Sequence, residues 1–244
     1  MSLRLYWIAG ERAVDADTAI GGRDGRFPST RISLLEAVTS DLSCDAMNEV
    51  MALYWKPVYR FVRLKFQKNN EDAKDLTQGF FASVLQRDFF SRFDPEKASF
   101  RTYIRMAVER YAANQHAAAK CQKRGGDLQF EPVDEQALAT ESPEVEFERE
   151  WLRQLIFFAL DDLRTHCGDT GKTVQFGIFQ DYDLADGARL SYAELAAKYG
   201  VSESAVTNYL AWTRRMLRGF VMERLRHTTS NSRELHQEMR RVWK

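Results

Sequence analysis

A short run of residues, Leu190–Leu210, sets the strictest local limits on how this chain can fold. Ser191 and Glu194 have the spacing of a capping box, in which each side chain accepts a hydrogen bond from the other residue's backbone N–H. Gly200 can adopt the left-handed conformation that ends a helix in a tight turn. Ser202 is then placed to cap a second helix. The run therefore predicts two helices joined by a turn.

The two predicted helices have an apolar face and a polar face. The side chains spaced to pack the helices together are Leu195, Ala196, Val201, Val206 and Leu210. The side chains expected to face outward, all small enough to approach the edges of bases, are Ser204, Thr207, Asn208 and Ala211. This pattern is typical of a helix-turn-helix, whose second helix enters the major groove of DNA. A plain helical hairpin inside a bundle would share much of the same spacing.

The charges of the chain balance overall, with 35 Lys and Arg against 35 Asp and Glu, but they are unevenly placed. Basic residues dominate Ser99–Arg124 and Glu203–Arg226, whereas acids dominate Asp127–Glu150. Phosphate binding depends on such local clusters rather than on net charge. The candidates for phosphate contacts in the second basic stretch are Arg214, Arg215 and Arg218.

The clearest amphipathic helix is predicted over Glu71–Arg87, with Asn70 as its N-cap. The apolar face is expected to hold Ala73, Leu76, Thr77, Phe80, Phe81, Val84 and Leu85. On the opposite face Asp75 and Gln78, three residues apart, would lie together. Taken alone, that patch is most simply a solvated surface.

Helical periodicity dominates the rest of the chain from Ser33 onward, so the fold class is predicted to be all-α. Further helices are expected over Leu34–Thr39, Asp45–Gln67, a stretch capped by Ser99, Glu144–His166 and Lys172–Tyr182. The predicted organisation is a flexible extension (1–29), a first helical domain (30–125), an acidic linker (126–143), a second helical domain (144–227) and a basic amphipathic tail (228–244). The tail could pack on the second domain, contact DNA or bind a regulator, and packing is the preferred role.

The composition argues against several classes of protein. No apolar run approaches the roughly 18 residues that a membrane span needs, and the opening residues do not predict a secretory signal. The scattered cysteines Cys44, Cys121 and Cys167 indicate a reducing cytoplasm rather than a disulfide framework. The His and Cys residues lack zinc-site spacing, and no catalytic constellation or nucleotide-binding loop is evident. We therefore expect no enzyme activity, no cofactor and no metal.

Two segments resemble the sigma-70 family of RNA polymerase sigma factors. EDAKDLTQGFFASVL is similar to the region 2 helix of the family, through Asp72, Ala73, Asp75, Leu76, Gln78 and Phe81. FDPEKASFRTYIRMAVERYAANQ resembles the remainder of region 2, and LSYAELAAKYGVSESAVTNYLAWTRRML resembles region 4. An acidic linker between the two is typical of the compact extracytoplasmic-function (ECF) group, and FPSTRISL resembles the opening of one ECF-like subset.

The resemblance implies three binding surfaces. It assigns contacts with the clamp helices of the largest subunit of core RNA polymerase to Asp72, Asp75 and Gln78. It assigns the −10 promoter element to the helix that begins after Ser99, with Arg105, Arg110, Asn114, Gln115 and Lys120 as the candidate contacts. It assigns the −35 element to the recognition helix, with Ser204, Thr207, Asn208, Arg214 and Arg215 as the candidate contacts. The linker would thread toward the active-site and RNA-exit channels of the polymerase.

One part of the resemblance is imperfect. Many ECF factors carry Asn where this chain has Arg110 and Asp where it has Asn114, which leaves base choice at −10 open. Tyr111 is a candidate partner for an unpaired base, but its position equally suits packing in the core.

The sequence as a whole predicts a cytoplasmic ECF-type sigma factor that binds core polymerase and promoter DNA and does not insert into a membrane. An anti-sigma factor or another regulator is a further candidate partner. Two alternatives stay open at this point: a free-standing helix-turn-helix regulator, and a sigma-like interaction protein that binds polymerase or a regulator without initiating transcription.

Overall fold

The structure is a computed structural model that describes residues 44–85, 89–94, 96–122, 142–185, 187–229 and 232–243. Within these ranges every regular element is helical, which confirms the predicted all-α class. The elements are α1 (Cys44–Phe66), α2 (Asn70–Leu85), α3 (Phe100–Gln122), α4 (Pro143–Asp169), α5 (Thr173–Phe179), α6 (Tyr192–Tyr199), α7 (Glu203–Thr228) and α8 (Ser232–Val242). The predicted extension 1–29, the helix over 34–39 and almost all of the acidic linker lie outside the described residues.

The chain divides into two compact units. The N-terminal unit lies within Arg26–Trp151, and the C-terminal unit lies within Leu152–His227 and Asn231–Lys244. Helix α4 therefore contributes its first two turns to the N-terminal unit and its remainder to the C-terminal unit. The second domain was predicted to begin at residue 144, and packing groups residues 144–151 with the first unit.

The N-terminal unit is built around α1, which packs against both α2 and α3. Its core is aromatic and β-branched, with buried Tyr54, Val58, Phe61, Val62, Phe80, Phe81, Phe100, Ile104 and Val108. The rings of Trp55 and Phe81 stack at 5.6 Å between α1 and α2, and Tyr54 meets Phe100 edge-on at 5.7 Å between α1 and α3. Aromatic pairs of this geometry add to the stabilisation that burial alone provides.

Helix α2 differs from its prediction at both ends. Its N-cap is Asn69 rather than Asn70, because the Asn69 side chain accepts the backbone N–H of Asp72 at 2.8 Å and Asn70 is already helical. The Asn70 side chain instead accepts a hydrogen bond from the Tyr59 hydroxyl on α1. At the other end Leu85 is 46% exposed. In the middle of the helix Leu76 is half-buried, so neither leucine belongs to the buried face.

Helix α3 begins as predicted, with the Ser99 side chain accepting the backbone N–H of Thr102 at 3.2 Å. Arg101 belongs to the basic stretch Ser99–Arg124, but it is not available to a phosphate, since it is only 5% exposed. Its guanidinium lies 4.1 Å from the centre of the Trp151 ring and pairs with Glu148 at 2.7 Å. A planar guanidinium can stack on an aromatic ring while it pairs with a carboxylate, which makes this burial tolerable.

The first two turns of α4 are an integral part of the N-terminal unit. Phe147 is fully buried and meets Phe61 at 5.8 Å. The alternating acids of this segment pair with bases on α1 and α3: Arg60 with Glu146 (3.1 Å) and Glu150 (3.5 Å), Lys65 with Glu144 (2.6 Å), and Arg101 with Glu148 (2.7 Å). We call these contacts the α4 acidic strip.

The C-terminal unit packs α5, α6 and α7 around the end of α4. Its buried core contains Leu155, Leu160, Leu163, Ile178, Phe179, Leu195, Val206, Leu210, Leu217 and Val221. The helix predicted over Lys172–Tyr182 is α-helical only to Phe179 and then widens into a π-helical turn, Gln180–Leu184. The tail forms α8, and Arg218 of α7 lies 5.1 Å from the Trp243 ring, in agreement with the expectation that the tail packs on this unit.

Candidate nucleic-acid and polymerase interfaces

The helix-turn-helix of the C-terminal unit is fixed by the local signals that its sequence contains. Ser191 Oγ accepts the Glu194 N–H at 3.2 Å, and Glu194 Oε2 accepts the Ser191 N–H at 2.7 Å, which confirms the capping box. The Glu194 carboxylate accepts hydrogen bonds from the Ser191 backbone N–H and from the Ser191 hydroxyl (2.8 Å), and these two bonds lower its pKa. Gly200 is left-handed with φ 66°, and Ser202 Oγ accepts the Ala205 N–H at 3.2 Å. Helices α6 and α7 are thus the predicted pair.

The buried and exposed faces of α7 also follow the pattern. Leu195 on α6 and Val206 and Leu210 on α7 are completely buried, so they hold the two helices together. The side chains of α7 expected to face outward, Ser204, Thr207, Asn208 and Ala211, are all exposed. The hydroxyls of Ser202 and Ser204 lie 2.9 Å apart at the start of the helix. The first two turns of α7 therefore present short polar side chains to solvent.

The arginines that follow on α7 have different surroundings. Arg215 is exposed, as a phosphate contact would require. Arg214 is held by Asp183 through two hydrogen bonds, from Nε at 2.7 Å and from Nη2 at 2.9 Å. The hydrogen bonds with Asp183 raise the pKa of Arg214. Arg214 and Arg215 were predicted to act alike, yet among the described residues only Arg214 of the two has a carboxylate partner.

The candidate −10 contacts on α3 do not share a single face. Arg110, Asn114 and Gln115 are exposed, whereas Arg105 is half-buried and its Nε is enclosed. Arg105 and Arg110 are five residues apart, so they point about 140° away from each other around the helix. Lys120 lies on α3, but its side chain is outside the described ones. Arg110 and Asn114, four residues apart, lie on one side of the helix, whereas Gln115 points about 140° away from Arg110.

Tyr111 serves as a packing residue against α2. Its ring meets Phe80 at 5.9 Å, and its hydroxyl would lie 2.5 Å from a side-chain carbon placed at Gly79. Gly79 is therefore the residue that lets α2 and α3 approach here.

The candidate polymerase surface lies on α2. Asp72, Asp75 and Gln78 are all exposed, while Ala73 and Thr77 of the same turns are buried. Spacing of three residues keeps neighbouring members of the set on one side of the helix. Lys74 pairs with Glu71 at 3.3 Å beside this face. The arrangement is an exposed acidic and amide surface supported by a rigid buried face.

The structure also identifies residues that the sequence did not. Asp181 and Asp183 of the π-helical turn contact the two helices of the helix-turn-helix, and Gly177 makes room for Tyr199. The sequence shows acids shortly before the capping box, but it does not show which residues they contact. Their partners lie 17 to 31 residues further along the chain. Among the described residues, no group of three His, Cys, Asp or Glu side chains is arranged to hold a metal ion. No described helix is long and apolar enough to cross a membrane.

A helical protein with an exposed recognition helix of this kind belongs to the class of helix-turn-helix DNA-binding proteins. The family model described as ECF sigma factor matches residues 32–223 of the chain. Since the match covers most of the sequence, the protein belongs to the ECF sigma factor family, as the resemblance of its two motifs indicated. No curated protein and no solved structure matches the chain.

Proposed function

We propose that this protein binds core RNA polymerase and directs it to specific promoters, without catalysing a reaction of its own. The observation that carries the proposal is the single family match, which spans both α2 in one unit and the helix-turn-helix in the other. The exposed positions of the candidate contacts on both elements support it. The protein would act in the cytoplasm, and an anti-sigma factor is a partner consistent with the family.

The proposed contact with polymerase uses Asp72, Asp75 and Gln78 on α2. Carboxylates and an amide on a rigid exposed face suit a partner that offers basic and amide groups. The proposed −35 contact uses Ser204, Thr207 and Asn208, whose short side chains allow α7 to approach base edges. Arg215 is placed to add a phosphate contact.

The proposed −10 contact centres on Arg110 and Asn114, which share one side of α3, and Gln115 is an exposed amide next to Asn114 in the sequence. Amide side chains can hydrogen-bond to the edges of unpaired bases, and an exposed arginine adds favourable charge beside them. The balanced net charge of the chain fits a protein that depends on polymerase, rather than on DNA, for most of its affinity. A factor that gains most of its affinity from polymerase needs little non-specific attraction to DNA.

The decisive experiment mixes the purified protein with core RNA polymerase on a sizing column and measures duplex binding by the protein alone. Co-elution with core and weak binding to DNA alone are expected. Tight binding to duplex DNA without co-elution would contradict the proposal and identify a free-standing regulator. Co-elution without any promoter-dependent transcript would identify a sigma-like interaction protein.

The polymerase surface is tested by Asp75→Arg, with Glu96→Arg as the matched control. Both acids are exposed in the N-terminal unit, and Asp75 alone lies on the proposed face. Reversing a charge at an interface places like charges together, so Asp75→Arg should weaken core binding about tenfold or more. Equal core affinities for the two variants would remove the assignment of α2.

A further inference from the structure

The π-helical turn Gln180–Leu184 contacts both helices of the helix-turn-helix through two aspartates. Residues two apart in a π-helical turn point to roughly opposite sides of it. Asp181 consequently faces α6, and Asp183 faces α7, where each finds a partner. One short turn thus touches both elements whose relative position decides how a recognition helix meets DNA.

The contact with α6 is made by the last two residues of that helix. The Tyr199 hydroxyl donates to Asp181 Oδ2 at 2.7 Å, and Lys198 Nζ donates to the same oxygen at 2.5 Å. Gly177 on α5 lets the Tyr199 ring lie close, because a side-chain carbon there would come within 2.8 Å of the hydroxyl. Burial, and then the hydrogen bond to Asp181, raises the pKa of Tyr199, so the hydroxyl keeps its proton near neutral pH.

The contact with α7 is a two-point pair between Asp183 and Arg214. Both oxygens of Asp183 accept from the guanidinium, at 2.7 and 2.9 Å. A two-point pair fixes direction as well as distance, which a single lysine contact does not. Arg214 also lies 5.8 Å from the Tyr182 ring, so the same turn supports it from a second side.

The burial of the pair decides what Arg214 is free to do. The side chain of Asp183 is 11% exposed, whereas that of Arg214 is 42% exposed. If Arg214 turned away to a DNA phosphate, a nearly buried carboxylate would lose its counter-charge, and that loss is costly. Arg215, the next residue, is exposed, and within the described part of the chain it has no pair to break when it reaches a phosphate.

We propose that Asp181 and Asp183 are positioning residues for promoter recognition, and that Arg214 acts through Asp183 rather than by contacting a DNA phosphate. The proposal rests on the proposed reading of the −35 element by α7. The turn Gln180–Leu184 is then the support that fixes α6 and α7 with respect to each other.

The test measures the affinity of wild-type and variant holoenzymes for one promoter duplex at several salt concentrations. The duplex is selected from a randomised library by the wild-type holoenzyme, and its partner probe carries a scrambled −35 segment. The variants are Asp183→Asn, Arg214→Ala, the double variant, and Arg214→Lys, with Arg215→Ala as the control for a phosphate contact.

The proposal predicts that Asp183→Asn and Arg214→Ala each weaken binding to the selected duplex about tenfold, and that the double variant is no weaker than either. The slope of affinity against salt should stay at its wild-type value in all three. Arg214→Lys should behave like Arg214→Ala, because it keeps the charge and loses the two-point geometry. Arg215→Ala should instead reduce the salt slope by about one.

The proposal is overturned if Arg214→Ala reduces the salt slope by about one while Asp183→Asn binds as tightly as wild type. It is also overturned if every variant keeps wild-type affinity. Core binding and a cooperative thermal transition, measured on each variant, separate repositioning from unfolding; if Asp183→Asn unfolds, Arg214→Lys carries the test. Failure of the wild-type holoenzyme to distinguish the two probes would instead overturn the proposed function, and this inference with it.

Discussion

Each unit is stabilised by its own internal contacts, and these contacts differ in how far apart their residues lie in the sequence. In the N-terminal unit Arg60 pairs with Glu146, 86 residues further along the chain, and Phe61 packs on Phe147. In the helix-turn-helix of the C-terminal unit the capping box joins residues three apart, and the Asp183–Arg214 pair joins residues 31 apart. The first arrangement requires distant parts of the chain to meet, whereas the second is specified mainly by its own neighbourhood.

This difference changes how a basic stretch of sequence should be interpreted. Arg101 and Arg214 both lie in stretches that suggested nucleic-acid contacts, and both turn out to be held by carboxylates of the same chain. In the N-terminal unit the arginine is buried in a long-range contact, while in the C-terminal unit it remains partly exposed. A local excess of arginine therefore overstates the charge that is free to meet phosphate.

The strongest test of the long-range arrangement is Arg101→Ala. The change removes a buried stem, its pair with Glu148 and its stacking on Trp151, so we expect a loss of about 2–3 kcal/mol in the free energy of unfolding. Urea unfolding, followed by the fluorescence of the tryptophans, measures it. Arg110→Ala, on the exposed side of the same helix, should stay within about 0.5 kcal/mol of wild type. Similar losses for both variants would argue against a structural role for Arg101.

The local arrangement is tested by Ser191→Ala. Removing the cap leaves the N–H of Glu194 without its side-chain acceptor, and caps of this kind contribute about 1 kcal/mol. The thermal midpoint of the C-terminal unit should fall, while that of the N-terminal unit stays in place. Ser204→Ala, an exposed serine that does not cap α7, provides the control; a loss as large as that of Ser191→Ala would show that the capping box contributes nothing special.

Arg224→Ala probes the exception, a long-range pair in the C-terminal unit. Arg224 meets Asp162 at 2.6 and 2.7 Å and lies 5.2 Å from the Phe158 ring. Both side chains are about one-third exposed, so solvent screening should limit the loss to about 1 kcal/mol or less. Chemical denaturation at low and at high salt measures it, and the loss should shrink as salt rises. A loss as large as that of Arg101→Ala would break the contrast between the units.

The smallest effect is expected for Lys65→Met at the rim of the α4 acidic strip. The hydrogen bond to Lys65 lowers the pKa of Glu144, and the bond to Glu144 raises the pKa of Lys65. The pair therefore stabilises the fold while Glu144 is ionised and Lys65 is protonated, and its contribution disappears as pH falls through the lowered pKa of Glu144. Near neutral pH we expect a loss of about 0.5 kcal/mol or less. A stability difference that persisted in acid would show that Lys65 contributes through something other than its pair with Glu144, such as the contact of its ammonium group with the Phe61 ring at 5.7 Å.

The residues that sequence could predict are those whose partners are close in the chain. The capping box, Gly200 and the cap at Ser202 were each placed correctly because their signals are local. The N-cap of α2 was misplaced by one residue, since Asn69 and Asn70 are both suitable and a contact with Tyr59 on α1 distinguishes them. The surroundings of Arg101 and Arg214 depend on partners far away in the sequence, and such pairs produce no periodic pattern that could predict them.

The assignment of the surfaces follows the same rule. The exposed faces of α2 and α7 agree with the pattern because helical spacing alone fixes which side is buried. The π-helical turn was not anticipated, since neither composition nor spacing distinguishes it from the end of an ordinary helix. The residues in that turn became candidates only when their partners were seen in space.

The early part of α4 has a practical consequence for anyone who divides the chain into fragments. A fragment made from residues 30–125 would contain α1, α2 and α3 but would lack Phe147 and Trp151. The side chains of Phe61 and Arg101 would then lose the cover that keeps them from water. A fragment extended through residue 151 retains that cover. The start of α4, residues 143–151, should therefore be kept in any fragment that contains the first unit.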